Sequence, residues 1–241
     1  LIGWRAIFLS ISILTFICII LIIIFIPRWQ SKSVLGEQLN ENKLSTVWKN
    51  SLFRSLVPMG FFTYGGLFAI QTLWAGPWMI RVAGYTPLES AQGLFIIYLS
   101  MLISFLCWGY FVPKFSKNIN DAIRWLKVGA PINIIVLAII IYLGPKAGSI
   151  HWAVFIVSSI FLSLAHPAVG MAFSLSNAGK ALTSFNLLLF IGAFFMQWIM
   201  GLIIDAGMSL NFSEINAFRL AMSFVLITSL FSYLFFIKKV K

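Results

Sequence analysis

The stretch "FAIQTLWAGPWMIRVAGYTP", residues Phe68–Pro87, decides how the chain is read. It begins as an apolar run, takes a polar pair at Gln71 and Thr72, and closes on a tryptophan-rich Gly-Pro turn. An isolated core helix does not need so long an apolar approach. A membrane span does, because about 20 apolar residues are required to cross the hydrocarbon layer as a helix. Seven such segments can be marked, at about 4–27, 56–80, 91–113, 125–144, 150–173, 183–205 and 217–237. They are too long and too evenly apolar for barrel strands. Lipid also demands that backbone groups be satisfied within each segment. The expected fold class is therefore all-α, a polytopic bundle of seven transmembrane helices.

Composition agrees. Of 241 residues, 61% are hydrophobic and only 10% charged, and the mean hydropathy is +0.99. Soluble domains carry about 25% charged residues. The net charge of +11 is assigned to topology rather than to nucleic acid, which is not an expected partner. Cys18 and Cys107 lie within apolar runs and are expected to be small buried hydrophobes, neither a disulfide nor a metal site. No cofactor is expected.

An odd number of spans places the two ends on opposite sides. Arg28, Lys32, Lys43, Lys49, Arg54, Lys114, Lys117, Arg124, Lys127, Lys180, Lys238, Lys239 and Lys241 fall on one side, leaving four of the 17 cations, Arg5, Arg81, Lys146 and Arg219, on the other. Cytoplasmic loops hold the excess of Lys and Arg, so Leu1 is expected outside and Lys241 inside. Residues 28–55 form the one long polar connection and are read as a cytoplasmic linker, with a short surface helix around "STVWKNSLFRSL". The chain opens on "LIGWR" without a signal-peptide pattern and reads as a piece of a longer protein.

One span, a long cytoplasmic loop and six further spans resemble the major facilitator superfamily, in which twelve spans form two six-span halves. The resemblance implies that residues 1–27 are the last helix of an N-terminal half missing here, that 28–55 join the halves, and that 56–241 are the C-terminal six-helix bundle, built as 3+3 inverted repeats. Gly3-Trp4-Arg5 is similar to the "GWR" that often precedes the sixth span. "GYFVPKFSK" resembles a degraded G-x-x-x-D-R-x-G-R-K loop, in which Gly109, Lys114 and Lys117 fit but Pro113 replaces the acid. "GLIID", Gly201–Asp205, resembles the end of the eleventh span. "IQTLWAGPW" and "GKALTSFNLLLFIGAFFMQWIMG" are similar to stretches of a bacterial nitrate/nitrite-like subgroup. The second stretch has only Gly192 and Gly201 where nitrate carriers are glycine-dense, so nitrate itself is not assigned. A bacterial inner-membrane location, the lipid bilayer, the missing half and a small-molecule substrate are the implied setting and partners.

Candidate site residues follow from helical spacing. Tyr64, Gln71 and Trp74 share a face on a regular helix, with Gly60 extending it inward. Gln71 in lipid is unfavourable, so it must meet protein or water; an interhelical hydrogen bond and a substrate contact are the two readings. Asn186, Phe190, Ala193 and Gln197 form a second stripe, with Phe194 at its border, suited to a small polar or partly aromatic ligand or to helix–helix packing. His166, before Pro167, is expected to be packed and hydrogen-bonded, with a proton relay as the alternative. Gly76, Pro77 and Pro167 are gate or hinge candidates, although Pro77 is expected to mark a plain helix terminus. Trp78 is assigned to the aromatic belt at the outer boundary. Arg81 and Asp205 are read as solvated span ends, an outer gate pair being the alternative.

The leading functional class is a secondary transporter working by alternating access, ion-coupled as symporter or antiporter. The rival, a membrane enzyme acting on lipids or isoprenoids, needs clustered carboxylates, histidines or a metal. Six acids scattered over the chain supply no such cluster, and the chain is read as a non-enzyme. A non-transporting receptor on a transporter fold is the third class.

Overall fold

The computed structural model describes residues 3–25 and 44–240. The described residues are helical almost throughout, with no strand among them. Among the described residues, seven helices are long and apolar enough to cross a membrane: α1 (Trp4–Phe25), α3 (Ser51–Arg81), α4 (Pro87–Phe115), α5 (Ile119–Leu143), α6 (Ser149–Met171), α7 (Leu175–Ser209) and α8 (Glu214–Lys239). A six-residue helix, α2 (Leu44–Lys49), precedes α3. It covers the first part of the short helix expected around residues 45–56; from Ser51 onward that stretch is already α3. Residues 28–43 of the expected linker lie outside the described residues, as does Lys241.

The chain divides into two units, Leu1–Asn40 and Glu41–Lys241. In the first, Ser10, Ser12 and Thr15 each donate to the carbonyl four residues back, which satisfies their hydroxyls inside an apolar helix. The second unit holds α2 to α8. Four of its helix starts are capped by side chains that accept from the first-turn N–H groups. Asn50 does this for α3, Thr86 with Glu89 in a reciprocal pair for α4, Asn118 for α5 and Ser213 for α8. Asn50 also donates to the Ala172 carbonyl at 3.4 Å, tying the start of α3 to the end of α6.

Four spans, α3, α4, α7 and α8, run past their expected ends. Apolarity marks only the hydrocarbon crossing, whereas caps and polar turns extend a helix beyond it. Thus Pro113 and Asp205, expected to close their spans, are passed by helices that continue to Phe115 and Ser209. Cys18 and Cys107 are corrected too: both are exposed, on α1 and α4.

Helix α3 departs from α geometry twice, at the π segments Met59–Tyr64 and Ile70–Trp74. Each inserts one extra residue into a turn, which rotates everything beyond it by roughly 100° relative to a regular helix. In the first, the Gly65 N–H reaches back to Gly60 O rather than to Phe61 O. The released Phe61 carbonyl lies where a Cβ on Gly192 of α7 would sit. Reciprocally, a Cβ on Gly65 would lie 2.5 Å from the Gly192 carbonyl carbon. Two glycines therefore allow backbone-to-backbone contact between α3 and α7, the close crossing that small residues permit in membranes.

At the far end of α3 the core is aromatic. Trp78 is fully buried, donates to Ala147 O at 3.1 Å and meets Trp152 edge-on at 5.6 Å. The belt assignment for Trp78 is therefore corrected: the rotation introduced by the second π segment turns it into the bundle. Pro77 does not end the helix either, since α3 continues to Arg81. The π segment just before it absorbs the missing proline donor. Buried polar links complete the packing, with Thr63 bonded to Ser232 at 2.8 Å and Asn133 donating to Phe155 O and Ser158 Oγ.

Candidate functional site

Four helices of the second unit converge on a cavity of about 380 Å³. Helix α3 gives Tyr64 and Phe68, α4 gives Phe105, α6 gives Ser163 and His166, and α7 gives Asn186, Leu189 and Phe190. The wall is apolar and aromatic with a small polar patch, the usual make-up of a small-molecule site.

The polar patch is built by a distortion of α6. Residues Ser159–Leu164 tighten into a 3-10 turn directly before His166-Pro167. Six residues wound at three per turn instead of 3.6 advance the chain by roughly 120° more than an α-helix does. Pro167 supplies no N–H to the Ser163 carbonyl. The Ser163 hydroxyl is used locally, donating to Ile160 O at 2.7 Å and accepting from Trp108 Nε1 at 3.1 Å. This brings His166 to α7, where its Nε2 lies 2.9 Å from Asn186 Oδ1. An amide oxygen only accepts, so the proton of that bond is on His166 Nε2. The imidazole meets Tyr64 edge-on at 5.8 Å and Phe185 at 5.4 Å, while Tyr64 stacks on Phe68 at 6.2 Å. The imidazole is thus held by an amide at Nε2 and by two aromatic rings at right angles to it.

The two stripes expected from helical spacing are each divided. Tyr64 lines the cavity, but Gln71 turns to α4, where its Nε2 donates to Met101 Sδ at 2.8 Å. Trp74 faces α7 and α8, donating to Gln197 O at 3.3 Å and meeting Phe218 edge-on at 6.0 Å. The second π segment separates them. On α7, Asn186 and Phe190 line the cavity, Ala193 packs beside Gly65, and Gln197 donates to Thr72 Oγ1 at 2.8 Å. Gly76 sits against α4, its carbonyl accepting from Ser90 at 3.3 Å. Lys114 rests over the Tyr110 ring at 3.7 Å on the last turn of α4, the Lys117 N–H is held by Asp121, and Gly109 has open space around it. Arg81 pairs with Glu214 at 3.6 Å, so its reading as an unpartnered end is corrected, and the partner is not Asp205.

Phe68, Phe105, Ser163 and Leu189 were not singled out by the sequence. Phe68 stands four residues after Tyr64 and Ser163 three before His166, so helical spacing could have found both. Phe105 sits in a uniformly apolar helix that carries no such signal. Among the described residues, no three His, Cys, Asp or Glu side chains come together as a metal site would require.

The family model for the Major Facilitator Superfamily matches residues 1–196, from α1 into the middle of α7. No curated protein and no solved structure matches the chain.

Proposed function

The chain belongs to the Major Facilitator Superfamily, which makes it an integral membrane transporter protein, and from that premise we propose that it is part of a secondary active transporter moving a small solute by alternating access. In this reading the Tyr64–His166–Asn186 cavity is the C-terminal half's share of the solute site. An N-terminal half, joined through the residue 28–55 linker, closes the other side. The Lys- and Arg-rich ends face the cytoplasm of a bacterial inner membrane.

The observation that carries the reading is the His166–Asn186 pair opening on an aromatic cavity drawn from four separate helices. An ionisable side chain and an amide at membrane depth are unfavourable in lipid and are found where a solute or ion passes. A site walled by several spans also changes shape when those spans rock, as alternating access requires. Tyr64, Phe68 and Phe190 supply faces for an aromatic or apolar portion of the solute; Asn186 and His166 supply a donor and an acceptor. Ion coupling is assigned to His166, the ionisable side chain lining the cavity. Gln71 and Gln197 are assigned to interhelical bonding rather than to the solute.

The test uses the full-length protein. A panel of small organic anions, cations and neutral solutes is screened by thermal shift, and those that stabilise it are followed as uptake into proteoliposomes under proton and sodium gradients. At least one solute should stabilise the protein and be transported, and Asn186→Ala should abolish both responses while the unliganded midpoint stays close to the parent's. If no solute shifts the midpoint and none is transported under any gradient, the reading is abandoned.

A further inference from the structure

A second, independent feature lies on the outer face of α3 and α8. Ser51, Arg54, Ser55 and Pro58 recur at helical spacing along α3, and Phe62, in the π turn that follows, lines the same cavity as Pro58. Opposite them, α8 presents Phe231, Leu234 and Phe235, then Lys238 and Lys239. The two stripes enclose two adjoining cavities. The first, of about 600 Å³, is lined by Pro58, Phe62, Phe231, Leu234 and the stem of Lys238, with Thr228 at its inner end. The second, of about 270 Å³, is lined by Ser51, Arg54, Ser55 and Lys239. Phe235 belongs to both. The buried Thr63–Ser232 hydrogen bond lies behind the groove and fixes the two helices against each other.

The groove is therefore polarised. One end has two cations, Arg54 and Lys239, beside the start of α3, where the helix dipole favours an anion. The other end is apolar, and Arg54 to Phe62 alone spans about 12 Å at the helical rise. Phe231 is 68% exposed and Leu234 52%, so the apolar end is open along its length. A phosphate with an attached hydrocarbon tail has this polarity and this shape.

We propose that this groove binds one anionic phospholipid, with its phosphate at Arg54 and Lys239 and one acyl chain along Pro58, Phe62 and Phe231. Arg54 offers a planar fork for two phosphate oxygens, and Lys239 a point charge on a flexible stem. The Ser51 hydroxyl adds a neutral donor at the same end. Positive-inside orientation puts this end in the leaflet that carries anionic lipid. The bound lipid bridges the first turn of the α3 span to the last turn of α8, and so braces the start of the helix that carries Tyr64.

Native mass spectrometry of the full-length protein, exposed to equal amounts of phosphatidylglycerol and phosphatidylcholine, tests this. The parent should retain one phosphatidylglycerol in clear preference. Arg54→Gln with Lys239→Gln, both exposed positions, should lower that preference on the order of tenfold while the thermal midpoint without lipid is unchanged. Phe231→Ala should weaken retention of both lipids without altering the preference. Equal retention of the two lipids by the parent, or an undiminished preference in the double variant, overturns the proposal. Complete displacement of the lipid by inorganic phosphate also overturns it, since a free anion would then be the occupant. So does a dimer that forms through this face and is lost in the double variant, because the occupant would be a second copy of the chain.

Discussion

Phe61 and Gln71 each own a backbone carbonyl that a π turn of α3 releases from its usual partner, and the bundle treats the two differently. Phe61 O is pressed against Gly192, where only the missing side chain makes room. At the second turn the Ala75 N–H reaches back to Ile70 O, and the Gln71 carbonyl accepts instead from the Tyr98 hydroxyl at 2.9 Å. The first turn is set by steric fit and locks α3 to α7 beside the cavity. The second leaves its carbonyl on an exchangeable hydrogen bond to α4, with side-chain hydrogen bonds of Gln71, Thr72 and Trp74 beside it. A helix can thus carry two copies of the same distortion with one serving as a fixed pivot and the other as an adjustable joint.

That contrast predicts a graded series. Gly192→Val has the largest effect, because its added atoms meet backbone that cannot swing aside; a loss of about 3 kcal/mol is expected in reversible unfolding in detergent or bicelles. Gly60→Ala should cost less, since its neighbour is the edge of the Phe185 ring rather than a carbonyl. If the two cost the same, steric locking at Gly192 is not special. Tyr98→Phe removes the donor to Gln71 O and should cost about 1 kcal/mol. A cost near 3 kcal/mol would show that the second turn is as rigid as the first. Gln71→Leu should cost least, about 0.6 kcal/mol, and leave solute affinity unchanged. A weaker affinity would return Gln71 to the solute pathway.

The sequence made the spans legible because twenty consecutive apolar residues have one physical solution in lipid. It also made Tyr64, His166, Asn186 and Phe190 stand out, as polar or aromatic residues within those spans. It did not show which of them meet. Face arithmetic assumes 3.6 residues per turn, and α3 and α6 break that period three times, at Met59–Tyr64, Ile70–Trp74 and Ser159–Leu164. The prolines Pro58, Pro77 and Pro167 lie next to these breaks and were the available warning. The misplacement of Trp78 has the same origin, since its belt assignment rested on position along the chain and ignored rotation about the helix. Phe105 was invisible for a different reason: nothing in an apolar helix distinguishes a cavity wall from a lipid-facing wall.

That last distinction is also the most direct test of the account. Phe190 and Phe231 are almost equally exposed, at 67% and 68%, yet one borders the His166–Asn186 cavity and the other lies in the α3–α8 groove assigned to lipid. In full-length protein with every native cysteine replaced by Ser, Cys18 and Cys107 among them, a single cysteine is placed at either position and treated in membranes with a charged, water-soluble thiol reagent. The reagent needs water and a thiolate, so the cysteine at position 190 should react readily and the one at 231 scarcely. Equal reaction at both positions, or faster reaction at 231, would contradict the assignment of the cavity to an aqueous solute pathway.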